Sequence, residues 1–324
     1  MTEFVSVAIP VLNGGAILEQ TLAAVRAQRV DAPVELVVCD SGSRDRSVAL
    51  ARGFDAEVIE IAPAEFSHGG TRNLLMERSR GSHVAFLTQD AVPADERWLA
   101  RLLEGFSLAT DVGLVFGPYL PRPDASAMVA RELTQWFRTF APDGRPRIDR
   151  LDPGDRDTDV RALLGARGFF TDANGCVART AWEQAPFRPV SYAEDHVLAV
   201  DMLRAGFAKV YLPDAAVIHS HEYSTWNRLR RSFDEARSLH DVYGFAEPLE
   251  AKRTVLKIWG TIGGDRRWAL EGRPGGLAAR GELALLTRST LHHVARTTGA
   301  VLGARAERLP SRLVRRLSLE GRAR

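Results

Sequence analysis

Residues 83–93 read HVAFLTQDAVP, and the interpretation of the whole chain turns on them. Val84 to Leu87 form a short apolar run, the mark of a buried strand. The run breaks into Thr88, Gln89 and Asp90, and Pro93 ends any further ladder pairing. In an open α/β sheet, ligands gather beyond the carboxyl ends of the strands. A carboxylate at such an end, with no Lys or Arg beside it, suits a hard cation. Read alone, Asp90 serves equally well as an N-cap for a helix starting near Asp95 or Glu96.

The flanking chain alternates strand and helix. Val5–Pro10, Val34–Cys39 and Glu57–Ile61 carry strand patterns. Helical periodicity fills Ala16–Gln28, Asp45–Arg52 and Thr71–Arg80, with Asn13-Gly14-Gly15 turning the chain into the first helix. This order specifies an α/β fold built on a doubly wound, mostly parallel sheet. Such sheets bind nucleotides at a topological switch point. Neither G-x-G-x-x-G after the first strand nor a Walker loop occurs.

An amphipathic helix (Trp98, Leu99, Leu102, Leu103, Phe106) and a strand at Val112–Gly117 follow. Residues 141–159 lack periodicity and read as a mobile loop or lid. Phe169–Ala178 reads as a strand bent at Asn174-Gly175, and Lys209–Leu212 and Ala215–His219 as two more.

The net charge of +2 conceals a split. From Thr225 onward there are 20 Lys and Arg against 10 Asp and Glu, so that part carries +10 and the first 224 residues carry −8. The chain divides accordingly into a domain over 1–224 and a basic, mainly helical region over 225–324. In the latter, Arg228, Arg230, Arg231 and Arg237 recur at helical spacing, which fits attachment to an anionic membrane surface. No nucleic-acid-binding module is visible, and aromatics are sparse among these arginines, which excludes a nucleic-acid partner. Apolar runs fall short of the ~20 residues a membrane span needs. Cys39 and Cys176 sit in apolar stretches and read as buried thiols of a reducing, cytoplasmic compartment.

Several segments carry chemistry. Asp40 closes the second strand, placed to accept from a ribose or base N–H or to cap its own DSGS turn. In Phe66–Asn73 (FSHGGTRN), the Gly69-Gly70 pair permits close backbone approach, and Arg72 in a first helical turn suits phosphate; a loop capped by Thr71 is the plain alternative. Glu194 and Asp195 open an apolar-periodic helix, either as caps or as a general base facing a cleft. His219 and His221, two apart in a strand-like run, can address one metal.

Taken in order, IPVLNGG, ELVVCDSGSRD, FSHGGTRN, FLTQDAVP, YAEDHVLAVDMLRAGF and AVIHSHEYS resemble the inverting family-2 glycosyltransferases of GT-A fold. FSHGGTRN and TQDA are most similar to the bacterial rhamnosyltransferase-type branch. The resemblance spans about residues 3–224. It implies a nucleotide-sugar pocket formed by Pro10, Leu12, Asn13, Asp40, Gly42, His68, Gly69, Arg72 and Gln89. It implies Asp195, paired with Glu194, as catalytic base, and Asp90 with His219 or His221 as the site of a divalent metal, Mg²⁺ or Mn²⁺. Thr88 stands where the family's D-x-D has its first Asp, and Ser41 where many members have a second Asp. The implied donor is dTDP-rhamnose, with UDP-sugars next. The implied acceptor is a glycan or lipid-linked glycan at the inner face of the plasma membrane. Two competing readings are a sugar nucleotidyltransferase, which usually shows an early glycine- and lysine-bearing loop, and a non-catalytic scaffold, supported by Thr88 alone.

Overall fold

The computed structural model describes residues 4–156, 159, 162, 163, 165–246, 250–271 and 279–319. The chain opens with β1 (Val5–Val11), α1 (Gly15–Arg26), β2 (Val34–Asp40), α2 (Ser47–Gly53), β3 (Glu57–Glu60), α3 (His68–Arg78) and β4 (His83–Leu87). Helix α1 buries Leu18, Thr21, Leu22 and Val25, the i, i+3, i+4, i+7 stripe visible in its sequence. Helix α3 starts three residues before Thr71. Ser67 is extended and its hydroxyl accepts from the Gly70 N–H, a better N-cap than a threonine buried inside the first turn.

After β4 come β5 (Val92–Pro93), α4 (Trp98–Glu104), β6 (Val112–Phe116), β7 (Tyr119–Leu120), α5 (Ala127–Arg138), β8 (Arg147–Asp149) and β9 (Asn174–Ala178). They are followed by α6 (Arg179–Trp182), α7 (Glu194–Ala205), β10 (Ala208–Tyr211) and β11 (Val217–Ile218). Among the described residues the main sheet runs β3-β2-β1-β4-β9-β6-β10-β8, and a small one runs β5-β11-β7. The pairs β3-β2, β2-β1, β1-β4 and β6-β10 are parallel, whereas β9 is antiparallel to both β4 and β6. Along β1 the side chains alternate: Val5, Val7, Ile9 and Val11 join one apolar cluster and Ala8 the other, so the sheet is covered on both faces.

Two expectations change. The segment 141–159, expected as a lid, contributes β8, which pairs antiparallel with β10. Buried Lys209 anchors it, with Nζ 3.1 Å from Asp149 Oδ2 and donating to the carbonyls of Ala166 and Phe169. The expected strand 169–178 begins only at Asn174, because the residues before it turn away to form part of the acidic cluster described below.

Asn174 fixes the centre. Its side chain is fully buried; Nδ2 donates to Pro118 O (3.0 Å) and Ala215 O (2.9 Å), while Oδ1 accepts from Trp98 Nε1 (2.7 Å). One amide therefore ties β9 to the approaches of β7 and β11 and to α4.

The structure separates into two compact units, one of Met1–Arg122, Leu133–Pro189 and Glu194–Ser220, the other of Pro123–Glu132, Val190–Ala193 and His221–Arg324. The second contains α8 (Thr225–Tyr243), α9 (Ala251–Leu270), α10 (Ala279–Gly303) and α11 (Ser311–Leu317). Gly299 and Gly303 let α10 approach α8 backbone to backbone; a Cβ at either would collide with the carbonyl of Leu229 or Phe233. The α8 arginines are not a free stripe: Arg237 is buried, Arg228 lies 3.7 Å from Glu132, and Arg230 donates to Ser318 O. No helix among the described residues is long and apolar enough to cross a membrane.

Replacing Asn174 with Val should leave the Trp98 indole N–H and the Ala215 carbonyl without their partner, while Pro118 O keeps only its bond from the Val217 N–H. The expected loss is about 2–4 kcal/mol of stability by chemical denaturation. A second prediction concerns acid. Glu132 accepts from His292 and Arg296 and is held down at about 2 although burial opposes this. Its contribution is present above its unfolded value of 4.5 and disappears as pH falls toward 2, so denaturation midpoints should drop through that window. The drop should be smaller in Glu132→Gln.

Candidate active site

The order of the main sheet reverses between β1 and β4, which sets the ends of these strands side by side at a switch point. Gln89 closes the gap: its Oε1 accepts from the Leu12 N–H (2.8 Å) and its Nε2 donates to the Leu12 carbonyl (3.2 Å). The Leu12 side chain remains exposed, and Pro10 lies in β1, partly buried. Asn13 occupies the left-handed region, φ +51°, and accepts from the Arg44 N–H at its side-chain oxygen. Asp40 is buried at the end of β2. One carboxylate oxygen accepts from the Gly42 and Ser43 N–H groups, forming the turn expected of DSGS. The other oxygen is buried with no hydrogen-bond partner. A buried acceptor left over at a strand end suits a donor N–H or O–H of a ligand.

Beyond β4, Thr88 Oγ1 donates to Asp90 Oδ1 (3.0 Å), so this hydroxyl orients the neighbouring carboxylate. Asp90 caps no helix; α4 begins at Trp98, and Asp95 accepts the Arg97 N–H before it. The small sheet carries His219 to this point, and its Nδ1 lies 3.5 Å from Asp90 Oδ1. Burial lowers the pKa of His219, which favours the neutral imidazole a metal requires. One carboxylate and one neutral imidazole form an O/N donor set that a divalent cation such as Mn²⁺ can accept. His221, exposed and two residues further on, opens the second unit.

The acidic cluster is the main feature absent from the sequence reading. Arg72, expected to face phosphate, is 3% exposed. Its Nη2 donates to Asp172 Oδ1 (2.7 Å), its Nε also pairs with Asp172, and its Nη1 lies 3.0 Å from Glu194 Oε1. Its guanidinium is therefore turned into the protein. His68 joins the same group, with Nδ1 3.8 Å from Glu194. Gly69 packs against its own chain, since a Cβ there would stand 2.5 Å from the Arg188 carbonyl, so close approach of a ligand is not what requires glycine at this position. Asp195 follows Glu194 in the first turn of α7, directly after Ala193, which is held at φ +61°. Burial, with Asp172 and Glu194 nearby, raises the Asp195 carboxyl well above its ordinary range; Arg72 opposes this. Burial likewise lifts Asp172 to about 7.

Tyr119 joins the two halves. Its ring packs edge-on against His219 at 4.9 Å, and its hydroxyl bonds Thr171 Oγ1. Burial, and then the charges of Asp195, Asp172 and Asp90, raise its pKa, so all three carboxylates lie within electrostatic reach of one phenol. The site thus sets a carboxylate of raised pKa near an acid-plus-imidazole donor set. Sequence reasoning missed Tyr119, Thr171 and Asp172; the sole trace was an acidic residue just ahead of the Asn174-Gly175 bend.

Glycosyl transferase family 2 matches residues 6–156. The O-antigen chain rhamnosyltransferase RfbN of Salmonella typhimurium is 30% identical over 234 residues, 71% of this chain and 70% of that protein. The chain belongs to glycosyl transferase family 2. It is a glycosyltransferase, rhamnosyltransferase-like in sequence, and its sheet with helices on both faces is of GT-A type. WbaN of Salmonella anatum, another O-antigen chain rhamnosyltransferase, is 29% identical over 70% of this chain and 69% of its own. Among solved structures, a mannosyltransferase from Pyrobaculum calidifontis, in complex with GDP-Man and Mn²⁺, superposes with a TM-score of 0.57 at 18% identity. It covers 92% of this chain and 86% of its own.

The family-2 assignment makes the cluster testable. Asp172→Asn removes a negative charge beside Asp195, and if Asp195 is the base the acid limb of the kcat/KM profile should move to lower pH, because Asp195 then ionises more readily. If Asp172 acts only in folding, kcat would fall at every pH while the limb stayed in place.

Proposed function

We propose that this glycosyltransferase moves a sugar, rhamnose above others, from a nucleoside-diphosphate donor to a hydroxyl of a cell-surface or lipid-linked glycan, with inversion. The observation that carries the reading is Asp195, a carboxylate with a raised pKa at the start of α7, sharing Tyr119 with Asp90 and His219. The O-antigen chain rhamnosyltransferase activities of RfbN and WbaN support rhamnose and an O-antigen-type acceptor.

Asp195 accepts the proton of the acceptor hydroxyl as that oxygen attacks the anomeric carbon from the face opposite the leaving group. The raised pKa makes the ionised carboxylate a stronger base than an ordinary Asp. Arg72, clamped by Asp172 and Glu194, holds the start of α7 so that Asp195 keeps one position. Pro10, Leu12, Asn13, Asp40, Gly42 and Gln89 line the nucleotide pocket, with the unpaired Asp40 oxygen taking a base or ribose donor. His68 and Gly69 border it through the N-terminus of α3. Asp90, oriented by Thr88, and His219 would hold a divalent cation, Mg²⁺ or Mn²⁺. When bound, that ion offsets charge on the departing diphosphate. A lipid-borne acceptor would bring the chain to the cytoplasmic face of an anionic membrane.

Thermal shift with dTDP-rhamnose, dTDP, UDP and GDP, each with and without Mn²⁺, tests donor and metal together. Stabilisation by one nucleoside diphosphate, deepened by metal and lost in Asp90→Ala, is expected. Asp195→Asn should keep that stabilisation and lose transfer by about 10³-fold or more. Retention of transfer in Asp195→Asn would remove it as the base.

A further inference from the structure

Helix α9 presents a face that is left exposed among the described residues of the second unit. Val255 is 52% exposed, Leu256 63% and Trp259 69%. They stand one, two and five positions after the described Thr254, so with exposed Lys252 they form an i, i+3, i+4, i+7 stripe. Ile262 instead turns inward and is buried, and Thr254, Ile258 and Thr261 line a cavity of about 270 Å³ beside α8 and α10. The apolar surface is therefore divided between an inner side and an outer one.

Charge selects the occupant of the outer side. Helix α9 carries Lys252, Arg253, Lys257, Arg266 and Arg267, all exposed. Its sole acid, Asp265, is fully buried and accepts from Arg131, Ser289 and His293, so it offers nothing to the surface. Arg266 lies 2.5 Å from Glu282. A large aromatic and two aliphatic side chains set among cations, on a helix that cannot span a bilayer, describe an interfacial helix. Two copies meeting through this face would bring their cations together.

We propose that α9 lies in the surface of an anionic bilayer, with Val255, Leu256 and Trp259 inserted among the lipids and Lys252, Arg253 and Arg267 at the headgroups. This deepens the reading of a lipid-borne acceptor by naming the surface that brings the enzyme to it. It also moves the membrane contact from the α8 arginines, which are packed, to a helix whose cations reach solvent.

The test is flotation of the full-length chain with phosphatidylcholine vesicles, with and without phosphatidylglycerol. No nucleotide is present, so the outcome is separate from the transfer reaction. Binding to the anionic vesicles is expected, weakening as salt rises to about 0.5 M. Leu256→Glu/Trp259→Glu should lower the bound fraction about tenfold or more, with circular dichroism and melting temperature unchanged because both positions are exposed. Arg253→Glu/Arg267→Glu should lower binding and flatten its salt dependence. Brominated lipid should quench wild-type fluorescence more than that of Trp259→Phe. Wild-type protein that stays unbound, a Leu256→Glu/Trp259→Glu variant that floats equally well, or a dimer broken by those substitutions without lipid would each overturn the proposal.

Discussion

The side-chain amide of Asn174 is the constraint on which the rest of the catalytic unit depends. Strand β9 runs against its neighbours in the middle of the sheet, and without a tie its first residue would be a weak seam. The amide instead spends both donors and its acceptor on Pro118, Ala215 and Trp98. These partners precede β7, precede β11 and open α4. The small sheet bearing His219 is thereby held beside the end of β4, where Asp90 stands. Three hydrogen bonds from one fully buried group carry a large share of the positioning of the metal-ligand candidates.

A second constraint acts a few residues upstream on the same connection. Three carboxylates, Asp172, Glu194 and Asp195, share the single Arg72 guanidinium. One cation cannot offset three buried negative charges, so the cluster retains a proton more readily than isolated carboxylates would. Burial is the larger cause of Asp195's raised pKa, and this imbalance adds to it. The same arginine lowers its neighbours while the carboxylates raise one another, so the site is tuned by the count of charges as well as by burial. Because Asp172 precedes β9 and Arg72 sits in α3, two separate parts of the chain contribute to the properties of the one Asp195 carboxyl.

The second unit is organised differently. Its α8 and α10 meet at Gly299 and Gly303, and its buried charges form closed networks around Glu132 and Asp265. Arginines that looked like a solvated stripe in sequence are consumed in this packing, whereas α9 keeps its cations and three large apolar side chains outward. Composition alone registered a basic helical tail and could not sort packed arginines from presented ones.

Much of the fold was legible because hydrophobic period is a local property. The apolar runs of β1, β2 and β4 and the stripe of α1 each declare themselves within a few residues. The strand ends that carry Asn13, Asp40 and Asp90 followed from that alternation together with the family resemblance. Residues whose role depends on distant partners stayed hidden. Arg72 looked like a phosphate ligand because its partner Asp172 lies 100 positions away. Residues 141–159 looked like a lid because β8 is held by Lys209, which the local pattern does not name. By itself the sequence determined the alternating sheet, the strand-end carboxylates and the charge split, since these arise from neighbouring side chains. Only the tertiary structure decided which charges are paired, which glycines are needed for packing and which helix faces outward. Burial and ion pairing are set by what the fold brings together across the chain.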